Sequence, residues 1–248
     1  MARESGLRGA DDPVKTTKLI AGFSVAHLAV LSAQAQGFVN LDFESASIPA
    51  QTSVGSLIPI SEALPGWSAY YDSVTFGLEP TTQVGYDGVS TGGPIISVID
   101  KNSQLYGPLQ GSYSAFLFGG DGFSSSISQT GTIPTGSKSL LLDAWSYDAT
   151  PIVAINGQSI NLVPHQTFAT YTLYDGDISS YAGSVTLSFT EPSPTTGGPS
   201  EFILDNISFS TNAPTPEPSI IALTAIGGLL FGARKWFARR RYAVQAKA

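Results

Sequence analysis

Three residues that alternate along Leu140–Tyr147 are of the types that hold sugars. Leu140, Leu142 and Ala144 fall on one face of an extended segment, and Leu141, Asp143, Trp145 and Tyr147 on the other. An amphipathic ring offers a flat apolar surface to the C–H face of a pyranose, and a carboxylate accepts hydrogen bonds from its hydroxyls. Asp143, Trp145 and Tyr147 are therefore candidate glycan-binding residues. Trp67, Tyr70 and Tyr71 form a second cluster with the same chemistry. For both clusters the competing reading is a set of core rings with satisfied polar tips. Asp205 stands out for another reason: strand alternation places it on the apolar face with Ile203, Ile207 and Phe209. A buried carboxylate costs several kcal/mol unless it is paired or liganded, and hydrogen bonds from backbone N–H groups are one solution.

Other chemistries are poorly supplied. The chain has no Cys, which excludes thiolate nucleophiles, Cys-ligated zinc and a disulfide framework. Of its two His, His27 lies in an N-terminal apolar stretch, and His165, after Pro164, reads as a solvated loop residue. No Gly-x-Ser-x-Gly elbow accompanies it, so a Ser-His-Asp triad is not expected. A pair of Asp or Glu residues suffices for glycoside hydrolysis, and the acidic residues permit that. No closely spaced strand motif selects such a pair, however, and Asp175-Gly176-Asp177 reads as a turn.

Charge narrows the partners further. Of the 12 Lys and Arg, only Lys101 and Lys138 fall between residues 36 and 213, against 15 of the 19 acidic residues. That span carries a net charge of −13, although the whole chain is formally −7. Nucleic acid needs a basic footprint, so it is excluded as a partner.

Short strands must position these residues. Phe38–Glu44 and Gly183–Thr190 alternate apolar with polar residues, and Lys138–Tyr147 and Glu201–Ser210 read as two longer strands. Asn156-Gly157, between apolar-rich runs in Ile152–Val163, is a type I′ hairpin signal. Thr190–Ser200 is a Pro- and Gly-rich loop. The pattern predicts one all-β domain over residues 36–213.

The two ends read as addresses. Leu19–Leu31 is an apolar stretch preceded by Lys15 and Lys18 and followed by the small-x-small site Ala33-Gln34-Ala35. Residues 1–35 therefore read as a secretory signal peptide cleaved after Ala35, by way of the Sec translocon and signal peptidase. Val14 before Lys15 also suits a translation start, which would make residues 1–13 an upstream mis-assignment. At the other end, residues 214–248, Pro216-Glu217-Pro218 precedes the apolar run Ser219–Ala233, then Arg234, Lys235 and Arg239-Arg240-Arg241. An apolar helix stopped by a basic cluster is a stop-transfer pattern, because a guanidinium costs about 2.5–3.5 kcal/mol at mid-bilayer. Pro-Glu-Pro, a small-residue-rich helix and an Arg cluster together resemble the PEP-CTERM sorting signal of exopolysaccharide-producing bacteria. The resemblance implies insertion in the membrane, followed by cleavage near the motif by the protease-transpeptidase exosortase. A plain single-span tail anchor is the alternative.

A second resemblance covers roughly Phe38 to Ser210. Asn40-Leu41-Asp42-Phe43-Glu44, Leu64-Pro65-Gly66-Trp67, Ser126-Ile127-Ser128-Gln129, Asp177-Ile178-Ser179 and Leu204-Asp205-Asn206-Ile207-Ser208-Phe209 occur in that order. Together they resemble the galactose-binding-like jelly rolls of carbohydrate-binding modules. This implies two antiparallel sheets in a β-sandwich of about eight to ten strands, and a structural Ca²⁺ held by Glu44 and Asp205. The expectation is an exported surface or matrix protein, not an enzyme, that associates with extracellular polysaccharide. A glycoside hydrolase using an Asp/Glu pair and a ligand-free matrix protein are its rivals.

Overall fold

The computed structural model describes residues 37–214, apart from the short stretches 74–76, 89–94, 121 and 195–196. Ala33, Ala35 and the sorting motif, Pro216, Glu217, Pro218, Arg234, Lys235, Arg239, Arg240 and Arg241, lie outside the described residues. Among the described residues no helix is long and apolar enough to cross a membrane.

The domain is nearly all β. In chain order the strands are β1 (Leu57–Pro59), β2 (Ser68–Ser73), β3 (Gly77–Thr81), β4 (Gln83–Tyr86), β5 (Ile95–Ile99), β6 (Ser114–Gly120) and β7 (Phe123–Ile133). There follow β8 (Ser139–Tyr147), β9 (Ile152–Ile155), β10 (Gln158–Ser159), β11 (Leu162–Thr167), β12 (Thr172–Asp177), β13 (Gly183–Glu191) and β14 (Pro199–Ser210). The helix α1 is a single turn, Ile60–Ala63. All pairings between these strands are antiparallel except β4 with β5.

A single residue pair, Gly120 with Phe123, joins β6 to β7 where the chain crosses from one layer to the other. On one side of that link the order is β3-β2-β7-β13-β9-β10, and on the other β1-β4-β5-β6-β14-β8-β12-β11. The first layer supplies Ile127, Val153, Leu187 and Phe189 to a shared core, and the second supplies Ile96, Leu117, Leu142 and Phe202. Burying two sheet faces against each other is what the alternation requires, since each strand keeps one apolar side. The 14 strands among the described residues exceed the eight to ten expected, because the edges carry short extra strands. Those edges are β3 and β10 in one layer and β1 and β11 in the other. Pro80, Pro59 and Pro164 sit in three of them, and β10 is two residues long.

Several local predictions meet their structure directly. Lys138–Tyr147, Gly183–Thr190 and Glu201–Ser210 appear as β8, β13 and β14. Asn156 and Gly157 have φ of 51° and 76° and join β9 to β10 through a two-residue loop, as a type I′ turn demands.

Others are corrected. Phe38–Glu44 is not a strand but a series of turns, because Asn40 and Phe43 take φ of 50° and 57°. Its conformation is fixed from outside. The Asn40 carbonyl accepts the Trp67 indole N–H at 3.0 Å, the Asn40 amide donates to the Pro65 carbonyl, and the Phe43 ring is fully buried. Asp175-Gly176-Asp177 belongs to β12, and His165 lies on β11 at the register shift between Pro164 and Gln166. There its Nδ1 is 4.0 Å from Asp175 Oδ2, so it is a half-exposed strand residue and not a loop one.

One polar pair lies inside the sandwich. Ser125 of β7 and Glu191 of β13 are opposite each other in register and fully buried. Neither the Ser125 hydroxyl nor either Glu191 oxygen has a hydrogen-bond partner, and the neighbouring Ser200 hydroxyl donates to the Pro192 carbonyl at 2.8 Å. Burial pushes the Glu191 carboxyl up to about 8.

Candidate functional site

The outer face of the β14–β8 pair is where the predicted residues converge. On β8, Leu140, Leu142 and Ala144 enter the core, and Asp143 and Trp145 take the opposite face. On β14, Phe202 and Leu204 enter the core and Ile203 joins the outer side. The register pairs Glu201 with Tyr147, Ile203 with Trp145 and Asp205 with Asp143. One row of ladder positions thus brings together a carboxylate and a phenol, an aliphatic chain and an indole, and two carboxylates.

Asp205 shares this outer face with Ile203, but Ile207 does not. The register shifts between Asp205 and Ser208, where Asn206 has φ of 48°, and this returns Ile207 to the core. The expectation that Ile203 and Ile207 flank Asp205 on one face is corrected by that bulge.

The connection between β5 and β6, residues 100–113, closes over the face. Its Tyr106 ring stacks on Phe116 at 6.0 Å and 23°, and lies 4.9 Å from Trp145 at 42°. The Tyr106 hydroxyl donates to Glu201 Oε2. Burial raises this hydroxyl well above the ordinary phenol range, and the bond to Glu201 and the Glu201 and Tyr147 charges push the same way. Further along, Gln110 donates three times. Its backbone N–H goes to Asp205 Oδ2 at 3.0 Å, and its amide goes to Asp143 Oδ2 at 3.2 Å and to the Tyr171 hydroxyl at 2.7 Å.

Both buried carboxylates accept several hydrogen bonds in this scaffold. Asp205 Oδ2 also accepts from Ser114 Oγ at 2.6 Å, Asp205 Oδ1 from the Asn206 N–H at 2.6 Å, and Asp143 Oδ2 from the Asn206 amide at 3.2 Å. Burial pushes Asp205 up to about 7 against the pull of the bonds from Ser114, Gln110 and Asn206. Glu44 Oε1 accepts the N–H groups of Ser112 at 2.7 Å and Tyr113 at 3.0 Å, which pins the end of the same loop. Gly111 takes φ of 53°, which favours glycine, and a Cβ there would displace the Glu44 carboxylate from these two N–H groups.

Calcium does not fit Glu44 and Asp205 as they stand. The ion needs six to eight oxygens turned toward it, whereas here N–H and O–H donors already point at both Asp205 oxygens and at Glu44 Oε1. Among the described residues no three His, Cys, Asp or Glu gather as a metal site. Hydrogen bonding of the buried carboxylate, the other solution open to Asp205, is what the geometry displays.

Of the aromatic candidates, Trp145 and Tyr147 remain accessible on the outer face, with Tyr147 at 55% exposure, while Asp143 is buried beneath Gln110. Trp145 and Tyr106 form a wall of a cleft of about 400 Å³, shared with Leu105, Leu109, Thr170 and Ile203. That volume lies within the range of small-ligand sites. The second cluster is corrected: Trp67 is a core residue, stacked on Phe43 at 5.6 Å and tilted against Phe189 at 5.9 Å. Tyr71 packs against the same core, so Trp67, Tyr70 and Tyr71 do not form one surface.

Tyr106, Gln110 and Glu201 were missed by the sequence reading. Alternation through Glu201, Ile203 and Asp205 signals the last of these, since it places Glu201 beside Trp145's row. No local signal marks Gln110, whose partners lie 33 to 95 residues away.

No family model matches the chain, and no curated protein matches it either. Solved structures with distant likeness include these two. One is the enzymatically active domain of bacteriophage CBA120 tailspike protein 4, at 12% identity and a TM-score of 0.32, over 58% of this chain. The chain spans only 19% of that tailspike chain. The other is the family 11 carbohydrate-binding module of Clostridium thermocellum, solved in complex with a β-1,3-1,4-mixed-linked tetrasaccharide. It shares 11% identity at a TM-score of 0.34 and is matched over 66% of this chain and 100% of its own. At such TM-scores neither likeness specifies a shared fold or a shared activity.

Proposed function

We propose that this chain is an exported, surface- or matrix-associated protein whose outer-face cleft binds extracellular polysaccharide without cleaving it. The observation that carries the reading is the cleft of about 400 Å³ in which the Trp145 and Tyr106 rings lie 4.9 Å apart. Tyr147 stands exposed on the same face and the Glu201 carboxylate fixes the Tyr106 hydroxyl. Rings supply stacking surface for the C–H faces of pyranoses. Binding is favoured over hydrolysis because the carboxylate pair opposite each other on this face, Asp143 with Asp205, is 2% and 1% exposed and accepts hydrogen bonds from Gln110, Ser114 and Asn206. A glycosidase needs its two carboxyl groups flanking the sugar bond.

Export through the Sec translocon, removal of residues 1–35, and exosortase processing at Pro216-Glu217-Pro218 belong to the same proposal. What supports them is the motif order set out above, with the −13 charge of residues 36–213 suited to an extracellular body. The test is glycan-array binding and reducing-sugar release by the wild type and Trp145→Ala. Binding that falls at least tenfold in the variant, with no sugar release, is the expected result. Sugar release points instead to a hydrolase, and silence in both assays to a ligand-free matrix role.

A further inference from the structure

We infer that the glycan taken by this cleft is neutral and acetyl-substituted, and neither a bare polysaccharide nor a charged one. The inference rests on the cleft being a glycan site and names what that site selects. Leu105, Pro108 and Leu109 of the covering connection and Ile203 of β14 surround the Tyr106 and Trp145 rings, and Ala169 adds a further apolar side chain. Among the described residues no Lys, Arg, Asp or Glu lines the cleft.

Few groups here can answer a row of sugar hydroxyls. The Tyr106 hydroxyl is donated to Glu201, the Leu109 N–H to Ser114 Oγ at 2.8 Å, and Pro108 has no N–H. Among the described residues the Trp145 indole N–H and the Thr170 hydroxyl make no hydrogen bond, so they are the free side-chain donors of the lining. A bare pyranose presents several hydroxyls, and each one turned toward Leu, Pro or Ile gives up a water partner without gaining another. An acetyl group caps such a position with a methyl, which aliphatic walls accept, and a carbonyl, which either free donor can serve. Ionic substituents fare worse. A uronate or an ammonium would leave water for a lining that holds no charge of either sign to pair with it. Leu105 shows the same preference from the solvent side: at 65% it is the most exposed large apolar side chain described, and it lines the cleft. Its wet surface is apolar area that an acetyl methyl covers, whereas a hydroxyl gains nothing there.

The experiment measures binding of the full-length chain to β-linked tetrasaccharides of glucose, N-acetylglucosamine and glucosamine. These share a backbone and differ only in carrying a hydroxyl, an acetamide or an ammonium. The expected result is about tenfold tighter binding of the acetamide form than of the hydroxyl form, from one buried methyl and one hydroxyl spared, with the ammonium form weakest. Partially O-acetylated xylo-oligosaccharides, measured before and after saponification, separate ester from amide. Loss of binding on saponification assigns esters, and a preference confined to the glucose-backbone series assigns amides. Leu105→Asn, at a position exposed enough to leave folding intact, brings the acetamide-to-hydroxyl ratio below about threefold. Equal or tighter binding of the bare or ammonium forms in both series, or a ratio unmoved by Leu105→Asn, overturns the inference while leaving the glycan cleft standing. No binding of any of these sugars, with Trp145→Ala indistinguishable from wild type, sinks the cleft reading itself.

Discussion

Glu191→Gln isolates the cost of a carboxyl enclosed between the two layers. In the folded protein burial raises Glu191 from 4.5 to about 8, and neither of its oxygens is hydrogen-bonded. Between those pH values the folded state holds a proton that the unfolded chain releases, so folding stability falls as pH rises across the window. At about 1.36 kcal/mol per pH unit the full loss by pH 8 comes to about 5 kcal/mol, an order-of-magnitude figure. Asp205, raised to about 7, and Asp87, raised to about 6 by burial, push in the same direction; Asp87 is largely ionised by pH 7, and Asp205 is about half ionised there. The interval from pH 7 to 8 therefore reports Glu191 chiefly, with a smaller contribution from Asp205. Glutamine has the same shape and cannot ionise, though burying its unpartnered amide costs about 1–3 kcal/mol. The variant is thus expected to be about 2–4 kcal/mol more stable than wild type at pH 8 and to lose most of the slope between pH 7 and 8. Urea denaturation followed by tryptophan fluorescence at pH 5, 7 and 8 measures this directly. A wild type that is more stable at pH 8 than at pH 5, or a variant that keeps the wild-type slope above pH 7, refutes the reasoning.

Two further outcomes follow from the loop that covers the outer face. Gln110→Ala removes one of the two donors to the buried Asp143 and should cost about 1–3 kcal/mol in urea denaturation. Hydrogen exchange should quicken across residues 105–113, and an unchanged rate there would argue against Gln110 as the anchor. Because donors already occupy Asp205 and Glu44, adding a chelator should leave the melting temperature unmoved. A drop reversed by calcium would restore the metal reading for that pair.

Alternation made β8, β13 and β14 legible because each runs between a shared core and a different outer environment. Asn156-Gly157 was legible for a local reason, since both residues accept positive φ. Where partners at long range decide, the sequence was silent or misleading. Phe38–Glu44 alternates like a strand, but Trp67 and Pro65 hold Asn40 in a turn. Asp175-Gly176-Asp177 has turn composition and lies in a ladder between β8 and β11. At the site, the shared face of Asp143 and Trp145 was legible, while the burial of Asp143 depends on a loop that arrives from 33 residues away. Trp67 shows the same limit from the other side: an indole after a Pro-Gly turn reads equally well as platform or core, and only the stacked Phe43 ring and the tilted Phe189 ring decide it.

The four lateral borders of the sandwich share a property with a bearing on life at high local concentration. Proline interrupts donation along β1, β3 and β11, a register shift bends the last of these at His165, and β10 is too brief to template a neighbour. Copies crowded together at a surface consequently find no continuous row of free backbone groups on which to add a strand. Such a body can be displayed densely and stay discrete, leaving side-chain contacts to govern what holds it to its surroundings.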